Sequence, residues 1–539
     1  WEDTDDKRRA EVRKYLVCDV EGLRELWEKY NNEFYDEYKI NLSTYYTNSS
    51  MAYEIWKSVY LGKETCQIPN AIEDTFYRKS VYGGRCYPNK KSYTSKYYED
   101  LIKGKISFDA VDDYLIDGDI KSLYPAVMTY QYPVGSAIET DKYIEGKMGI
   151  YEISFITNKK LLTSPLPRRD DSGRLSWDLK DGDGVYTSVD IERAKSVGYE
   201  ITVHKGKYWE ETAPLYKDYV LKMYDKKNNA LKGTPRYNTC KILLNALYGK
   251  QIQKPIYTKQ KSVKNKNQLL ELIANNRIVS IMELNRVNWI ITYEPINEID
   301  INNTPSKPCQ NGAFILAYSR DVMWKVFVDS GSLDNKKKLF HYTDTDSCQL
   351  HIDAMKNVKM GKRLGDLDND LGDGCKIVKG IWIQPKLYML KFIQKKSEVV
   401  KAYQKELKRD PNSPYLTNIQ KKIDECGDRD YRFDTHYRGA GVPTKQLAEE
   451  KYDNMLNGLS EEFIPKFQMK RNLLGEKARL VVDGKVQLVK CDKMIVGHIK
   501  DTDVDVDGKL ALNKVIASRS WCGRDFKSHI ESYPLGYVY

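Results

Sequence analysis

Two aspartates stand one residue apart in "LFHYTDTDSCQL", residues 339–350, between apolar flanks that read as strand. Side chains alternate along a strand, so Asp344 and Asp346 either share one face or sit together at the tip of a hairpin. Carboxylates at that spacing repel unless a cation lies between them, and a hard divalent ion with oxygen ligands, Mg2+ above all, suits the pair. On this stretch alone a polar β-turn accounts for Asp-Thr-Asp-Ser equally well, because Asp and Ser side chains bond to nearby backbone in turns.

Two further segments hold residues of chemical interest. "DGDIKSLYPAVM" puts Asp119 at the end of an apolar strand, followed by Ser122, Leu123, Tyr124 and Pro125. "KILLNALYGK" spaces Lys241, Asn245 and Tyr248 at i, i+4 and i+7, one face of a helix. A cation, an amide and a phenol make a poor core face and suit a charged, flat-ringed ligand such as a nucleoside triphosphate. Taken singly, an ordinary helix face accounts for the stripe better.

The elements that must carry these residues follow from periodicity. Residues 7–34 have helical spacing, with Leu, Val and Trp on one face. Strands are expected after Leu115 and after Met148, and the Asp-Gly and Asp-Ser-Gly turns of residues 169–184 mark hairpin loops. From Leu215 to Gly249 the pattern is helical, broken once at Gly233-Thr234-Pro235, the turn of a helical hairpin. Gly312 to Asp329 reads as a helix running into the strand that bears Asp344. Beyond Lys386 come two charged helical segments, then strands at "ARLVVDGKVQLVK".

A length of 539 residues exceeds what one core serves, so several domains are expected, and 41% hydrophobic residues exclude general disorder. Net charge is +11, a weak pointer to a polyanionic partner. The charge concentrates between Tyr216 and Lys266, where 13 Lys/Arg face two acids with tyrosines interleaved. A solvated helix face accounts for such a run; so does a surface that handles phosphates and stacks bases on its rings. The ten cysteines form no CxxC pair or Cys/His cluster, which speaks against structural zinc and for free thiols. No run of about 18 apolar residues predicts a membrane helix. The chain opens on Trp1 without a signal-peptide pattern, so the gene product is expected to start upstream. "DVDVDG", residues 503–508, looks like the start of a calcium loop, but Lys514 occupies the twelfth position, where an acid is required; an Asp-Gly turn is the better reading. "DLDND" from Asp366 fails the same test at Leu371 and Ile377.

Taken together and in this order, "DIKSLYP", "KILLNALYG" and "YTDTDS" resemble motifs A, B and C of family B DNA polymerases, with the spaced DTD rather than the adjacent aspartates of reverse transcriptases. Tyr82, Gly83 and Gly84 in "SVYGGRCYP" resemble the YxGG segment that links exonuclease and polymerase domains, and Lys386 and Tyr388 in "PKLYM" resemble the KxY motif. "HYRGAGVP" resembles a thumb segment. Asp119 and Lys241 are 122 residues apart and Lys241 and Asp344 are 103 apart, and insertions in both gaps resemble the protein-primed branch of bacteriophages and linear plasmids.

The resemblance implies an α+β, right-hand architecture: a palm with an antiparallel sheet, helical fingers, a thumb and two insertions. Its expected parts are an exonuclease remnant over 1–70, a linker over 71–100 and palm over 101–145. A first insertion with palm strands follows over 146–212, fingers over 213–254 and a second insertion over 255–308; palm over 309–392 and a thumb and C-terminal region over 393–539 complete the chain. Tyr15 and Asp19 fit the spacing of the third exonuclease motif; the first two would lie upstream of Trp1, so this chain is not expected to proofread alone.

The implied chemistry is template-directed addition of dNTPs to a 3′ hydroxyl, or to a protein hydroxyl at initiation. By resemblance, Asp119, Asp346 and the backbone carbonyl of Ile120 hold two Mg2+ ions, for which Mn2+ can substitute, and Asp344 assists. Ser122, Leu123, Tyr124, Lys241, Asn245, Tyr248 and Gly249 are expected at the dNTP, with Tyr124 excluding a 2′ hydroxyl. Tyr82, Gly83, Gly84, Thr345, Lys386 and Tyr388 are expected along primer and template. The expected partners are DNA template and primer, dNTPs and a terminal protein primer, with no membrane; the expected compartment is the cytoplasm, that of the host for a phage. Three alternatives differ in kind: an inactive polymerase-like protein that only binds nucleic acid, an RNA-synthesising enzyme, which Tyr124 argues against, and a conventionally primed family B polymerase.

Overall fold

The computed structural model describes residues 6–463 apart from 46, 64–65, 171–174, 232, 254–258, 286–287, 296–305, 334–336, 338, 440–441, 443 and 460, together with strand segments at 479–482, 485–488, 492–495, 521–522 and 529–532. The 503–508 turn lies outside the described residues.

A nine-stranded sheet organises the fold. Its strands are β1 (Cys86–Pro88), β2 (Ser92–Thr94), β3 (Leu115–Ile120), β4 (Phe340–Asp344), β5 (Ser347–His351), β6 (Leu367–Asn369), β7 (Cys375–Gln384), β8 (Leu387–Lys395) and β9 (Tyr431–Gly439). The spatial order is β1-β4-β5-β3-β7-β8-β9, with β6 paired to β3 and β2 to β7, and every pairing is antiparallel. Alternation along the strands sends side chains to cores on both faces of the sheet. Ile120, Phe340, Cys348 and Leu350 join the largest core, while Leu115, Tyr342, Ile377, Trp382 and Leu390 form a second.

The largest core is closed by helices: α1 (Asp6–Tyr38), α2 (Leu123–Val127), α3 (Ser188–Lys195), α4 (Lys217–Asn229), α5 (Pro235–Gln251) and α6 (Cys309–Asp329). Only the last turns of α1 reach that core, through Phe34 and Tyr38; the stripe from Val12 to Trp27 is exposed. Helices α4 and α5 form the expected hairpin. Gly233 takes a φ of +90°, the Thr234 side chain accepts from the Tyr237 N–H at 3.3 Å, and Pro235 opens α5 without needing a donor. Helix α6 begins at Cys309, three residues before the expected start, and buries most of its length.

Two smaller units flank this body. Residues 138–209 form a four-stranded antiparallel sheet ordered 138–140, 200–209, 148–156, 182–187, covered by α3. Residues 259–295 form a three-stranded sheet with one helix, Lys266–Asn275, and a core of Val263, Leu272 and Ile291. The first unit is pinned to α6 by a buried ion group. Arg320 Nη2 donates to Asp190 Oδ2 at 2.7 Å, Arg193 also bonds Asp190, and Arg320 Nη1 donates to the Tyr82 carbonyl. Against the burial that would raise it, the two guanidiniums hold the Asp190 carboxyl at about 2. Removing one partner from so buried a group costs about 3–5 kcal/mol, because it strands the remaining charge.

Candidate active site

Backbone register brings the three aspartates to one end of the central sheet. Asp344 pairs with Ser347 across β4 and β5, so Thr345 and Asp346 are the two loop residues of a hairpin. On the other side of β5, Ser347 lies opposite Asp119 at the end of β3. The Ile120 N–H donates to the Asp346 carbonyl at 2.8 Å, which ties the hairpin tip to the strand bearing Asp119.

The tip is held from its other flank as well. Thr345 has a φ of +64°, an unfavourable conformation for a β-branched residue, costing on the order of 1–3 kcal/mol. Its N–H donates to the Arg85 carbonyl at 2.6 Å, and a Cβ at Gly84 would stand 3.0 Å from the Thr345 Cα. Gly84 is therefore required for close backbone approach.

The carboxylates are short of positive charge. Burial, followed by the charge of Asp346, raises the Asp119 carboxyl to about 7. Burial also raises Asp346. Asp117, two residues before Asp119 and so on the same strand face, is fully enclosed and raised by burial to about 7, with Gln349 donating to it at 3.2 Å. Asp370 adds a further negative field on all three, and its N–H donates to the Asp117 carbonyl at 2.8 Å. Asp344 is engaged differently: Lys386 Nζ reaches its two oxygens at 2.7 and 2.6 Å. No group of three His, Cys, Asp or Glu side chains among the described residues is already gathered around a metal position. The chemistry of the donor set still fits a divalent cation, since Asp119 and Asp346 converge and each is penalised for its charge when no cation is near.

These raised carboxyls give the metal-free protein a definite pH response. The folded state keeps a proton on Asp119 that the unfolded chain releases near pH 4, so this carboxyl lowers stability as pH rises from about 4 to about 7. The neutral variant Asp119→Asn escapes that loss. In melts with chelator present, its Tm relative to wild type is expected to rise from pH 5 to about pH 7 and then level off. A difference that stays flat or falls over that range would show that the carboxyl is not so strained.

Above the acids lies the helical hairpin. On α5, Leu243, Leu244 and Leu247 face the core, while Lys241, Asn245 and Gly249 are exposed and Tyr248 is half-buried. The periodicity that marked Lys241, Asn245 and Tyr248 as one stripe thus leaves that stripe outside the core. Tyr248 stacks on Tyr124 of α2, ring centroids 4.0 Å apart and planes at 17°. Both phenols sense the charge of Asp346. Lys227 of α4 is lowered by burial and by the nearby Lys241 and Lys121, so three cations crowd one region beside the acids. Lys121 pairs with Asp368 at 2.6 Å.

Other sequence-selected residues fall in varied places. Ser122 takes a φ of +53° ahead of α2, ending β3 at Ile120, and Leu123 is buried, so only its backbone could meet a ligand. Tyr82 is buried and stacks on Tyr186 at 5.2 Å, so its ring is engaged in packing; Gly83 lies beside Leu175. Tyr388 packs on Tyr342 at 4.9 Å. Tyr15 and Asp19 lie on the exposed stretch of α1, away from the carboxylate group. Sequence reading overlooked Asp117, Asp370 and Arg85. The first was signalled by the Asp-Gly-Asp alternation in β3; the second sits in "DLDND", set aside as a failed calcium loop.

Residues 2–331 match the family described as DNA polymerase type B, organellar and viral. A probable DNA polymerase of Neurospora intermedia is 26% identical over 376 residues, 67% of this chain and 36% of that protein. A DNA polymerase of Kluyveromyces lactis is 25% identical over 370 residues, 64% of this chain and 33% of its own length. The chain thus spans about a third of the length of these curated relatives. Among solved structures, Phi29 DNA polymerase complexed with primer-template DNA and incoming nucleotide substrates superposes with a TM-score of 0.55 at 18% identity, covering 84% of this chain and 68% of that one. At that identity the likeness speaks to fold, and it agrees with the expected α+β architecture built on antiparallel sheets.

Proposed function

Since the chain belongs to the organellar and viral type B DNA polymerases, we propose that it adds deoxynucleotides to a 3′ hydroxyl under the direction of a DNA template. One observation carries the reading: the pairing of β3 with β5 sets Asp119 beside the Asp344–Asp346 hairpin. Lys241, on the exposed face of α5, has Lys227 of α4 and Lys121 near it, and Lys121 also acts on Asp119.

The family uses divalent metal generally. Here Asp119, Asp346 and the Ile120 carbonyl would hold a pair of Mg2+ ions, with Asp344 in support. Once bound, such a pair lowers the pKa of the attacking hydroxyl and neutralises the triphosphate. The remaining work is positioning and charge stabilisation by this chain's own groups. Lys241 offers a cation to the phosphates, with Lys227 and Lys121 near it. Asn245, Tyr248 and Gly249 line the nascent base pair, and the backbone of Ser122 and Leu123 faces the triphosphate. Tyr124 lies under the sugar. Lys386 spans from Asp344 towards the primer terminus, with Tyr388 packed behind it; Gly83, Gly84 and Thr345 shape the template side, and buried Tyr82 supports them through its packing.

In this reading the central sheet with α2 and α6 is the palm, α4 and α5 are the fingers, and residues beyond 393 begin the thumb. We read the units at 138–209 and 259–295 as the insertions expected over 146–212 and 255–308, a reading that favours a terminal protein as a partner at initiation. No described helix is long and apolar enough to cross a membrane.

Extension of a singly primed DNA template tests the proposal. The purified chain is expected to extend the primer with dNTPs when Mg2+ is present and to stop when it is chelated. Failure to extend under Mg2+ or Mn2+, with the primer–template bound, would refute it.

A further inference from the structure

Arg85 is 3% exposed, yet among the described residues none of its hydrogen bonds goes to a carboxylate. Its guanidinium lies 4.1 Å from the Trp177 ring and 5.0 Å from that of Trp324, a cation held between two indole faces. Nη2 donates to the Ser164 carbonyl at 2.8 Å and more weakly to that of Pro165 at 3.4 Å. Burial pushes the guanidinium down to about 9, which leaves it protonated at neutral pH. Trp177 and Ser164 belong to the 138–209 unit, whereas Trp324 belongs to α6. One buried cation thus joins three separate pieces of chain.

The other end of the same residue meets the candidate active site. The Arg85 carbonyl receives the Thr345 N–H at 2.6 Å, and β1, which starts at the next residue, pairs Cys86 with Asp344. Thr345 holds a left-handed conformation that its β-branched side chain disfavours, so the hairpin geometry depends on what surrounds it. Gly84 supports it from the same side by close backbone approach. A buried Arg that feels the Asp190 carboxylate only at a distance, with no carboxylate bonded to it among the described residues, is a costly choice for packing alone. Its cost is understandable if a fixed guanidinium is what keeps its own carbonyl under the hairpin tip.

We propose that Arg85 is a positioning residue: its caged side chain anchors the carbonyl that sets the Asp344–Asp346 hairpin, and so links the 138–209 unit to the metal-binding geometry. This rests on the reading of Asp346 as a metal ligand. Second-layer supports of metal ligands typically contribute about 10–100-fold to metal affinity.

The test is a Mn2+ titration followed by electron paramagnetic resonance, with dideoxy-terminated primer–template and dNTP present so that nothing turns over. Arg85→Lys keeps the charge but loses the planar fork and the stack; it is expected to weaken Mn2+ binding about tenfold or more. Trp177→Leu removes one wall of the cage and Gly84→Ala presses on Thr345 directly; both are expected to weaken Mn2+ in the same direction, so the proposal stays testable if Arg85→Lys folds poorly. In a separate extension assay on an extendable primer at saturating Mn2+, the KM for dNTP should stay within about twofold of wild type in Trp177→Leu, which a general loss of fold would not allow. Asp346→Asn serves as the reference and is expected to lose Mn2+ binding. If Asp346→Asn loses the metal while the other folded variants bind it as wild type does, the positioning role is wrong. If Asp346→Asn itself binds like wild type, the underlying metal reading fails and the proposal falls with it.

Discussion

Asp346→Asn is expected to reduce nucleotide incorporation by about 10³-fold or more while primer–template binding persists, because a metal site supplies several kcal/mol of charge stabilisation and 1.36 kcal/mol is a factor of ten. The substitution keeps the size of the side chain and the backbone bond from Ile120 to the Asp346 carbonyl. It removes one negative charge from a group where Asp119, Asp117 and Asp370 already crowd each other. The metal-free fold should therefore be as stable as wild type or slightly more so, and the loss should appear in kcat/KM at fixed metal. In the proposed reading DNA is held by Lys/Arg contacts with its phosphates, which this substitution does not touch, so DNA binding should not change. Single-turnover extension beside a DNA-binding measurement separates the two effects. Incorporation at the wild-type rate would remove Asp346 from the chemistry.

Tyr124→Ala is expected to raise the ratio of ribonucleotide to deoxyribonucleotide incorporation by about 10²-fold, a steric penalty of roughly 2.7 kcal/mol. Tyr124 sits in the first turn of α2, five residues after Asp119, and its ring lies flat against Tyr248 of α5. Each phenol feels the Asp346 charge, so the ring pair borders the carboxylate group. In the proposed reading, a sugar between Asp119 at the end of β3 and the α5 stripe meets this ring first. Alanine removes the wall and keeps the helix, since Ala is favourable there. Tyr124→Phe keeps the wall and should retain discrimination. Measuring kcat/KM for matched ribo and deoxy substrates checks both variants; an unchanged ratio in Tyr124→Ala would show that the ring does not select the sugar.

How much of this was legible in the sequence depended on the range of the interaction. Local signals served well. Gly233, Thr234 and Pro235 each had a conformational reason to form the turn between α4 and α5, and that turn is present. The i, i+4, i+7 spacing of Lys241, Asn245 and Tyr248 put them on the face of α5 that the leucines leave free. The strand after Leu115 was placed correctly but ends at Ile120, because Ser122 turns left-handed and Pro125 opens no further strand. Long-range contacts were beyond reach. Nothing in "PKLYM" indicates that Lys386 grips Asp344, since the two are brought together only by the order of strands in the sheet. The burial of Tyr82 against Tyr186 depends on how the 138–209 unit docks, and so does the caging of Arg85 by Trp177. Asp370 belongs to a segment set aside as a failed calcium loop, and its field on Asp119 follows from the pairing of β6 with β3.

The most direct test is an experimental structure of the chain with primer–template DNA, an incoming dNTP and Mn2+, located by its anomalous scattering. We expect two metal peaks about 3.5–4 Å apart, both touching Asp119 and Asp346, with Lys241 at the triphosphate. Metal bound elsewhere, or Asp119 and Asp346 left without it while the dNTP is in place, would contradict the account.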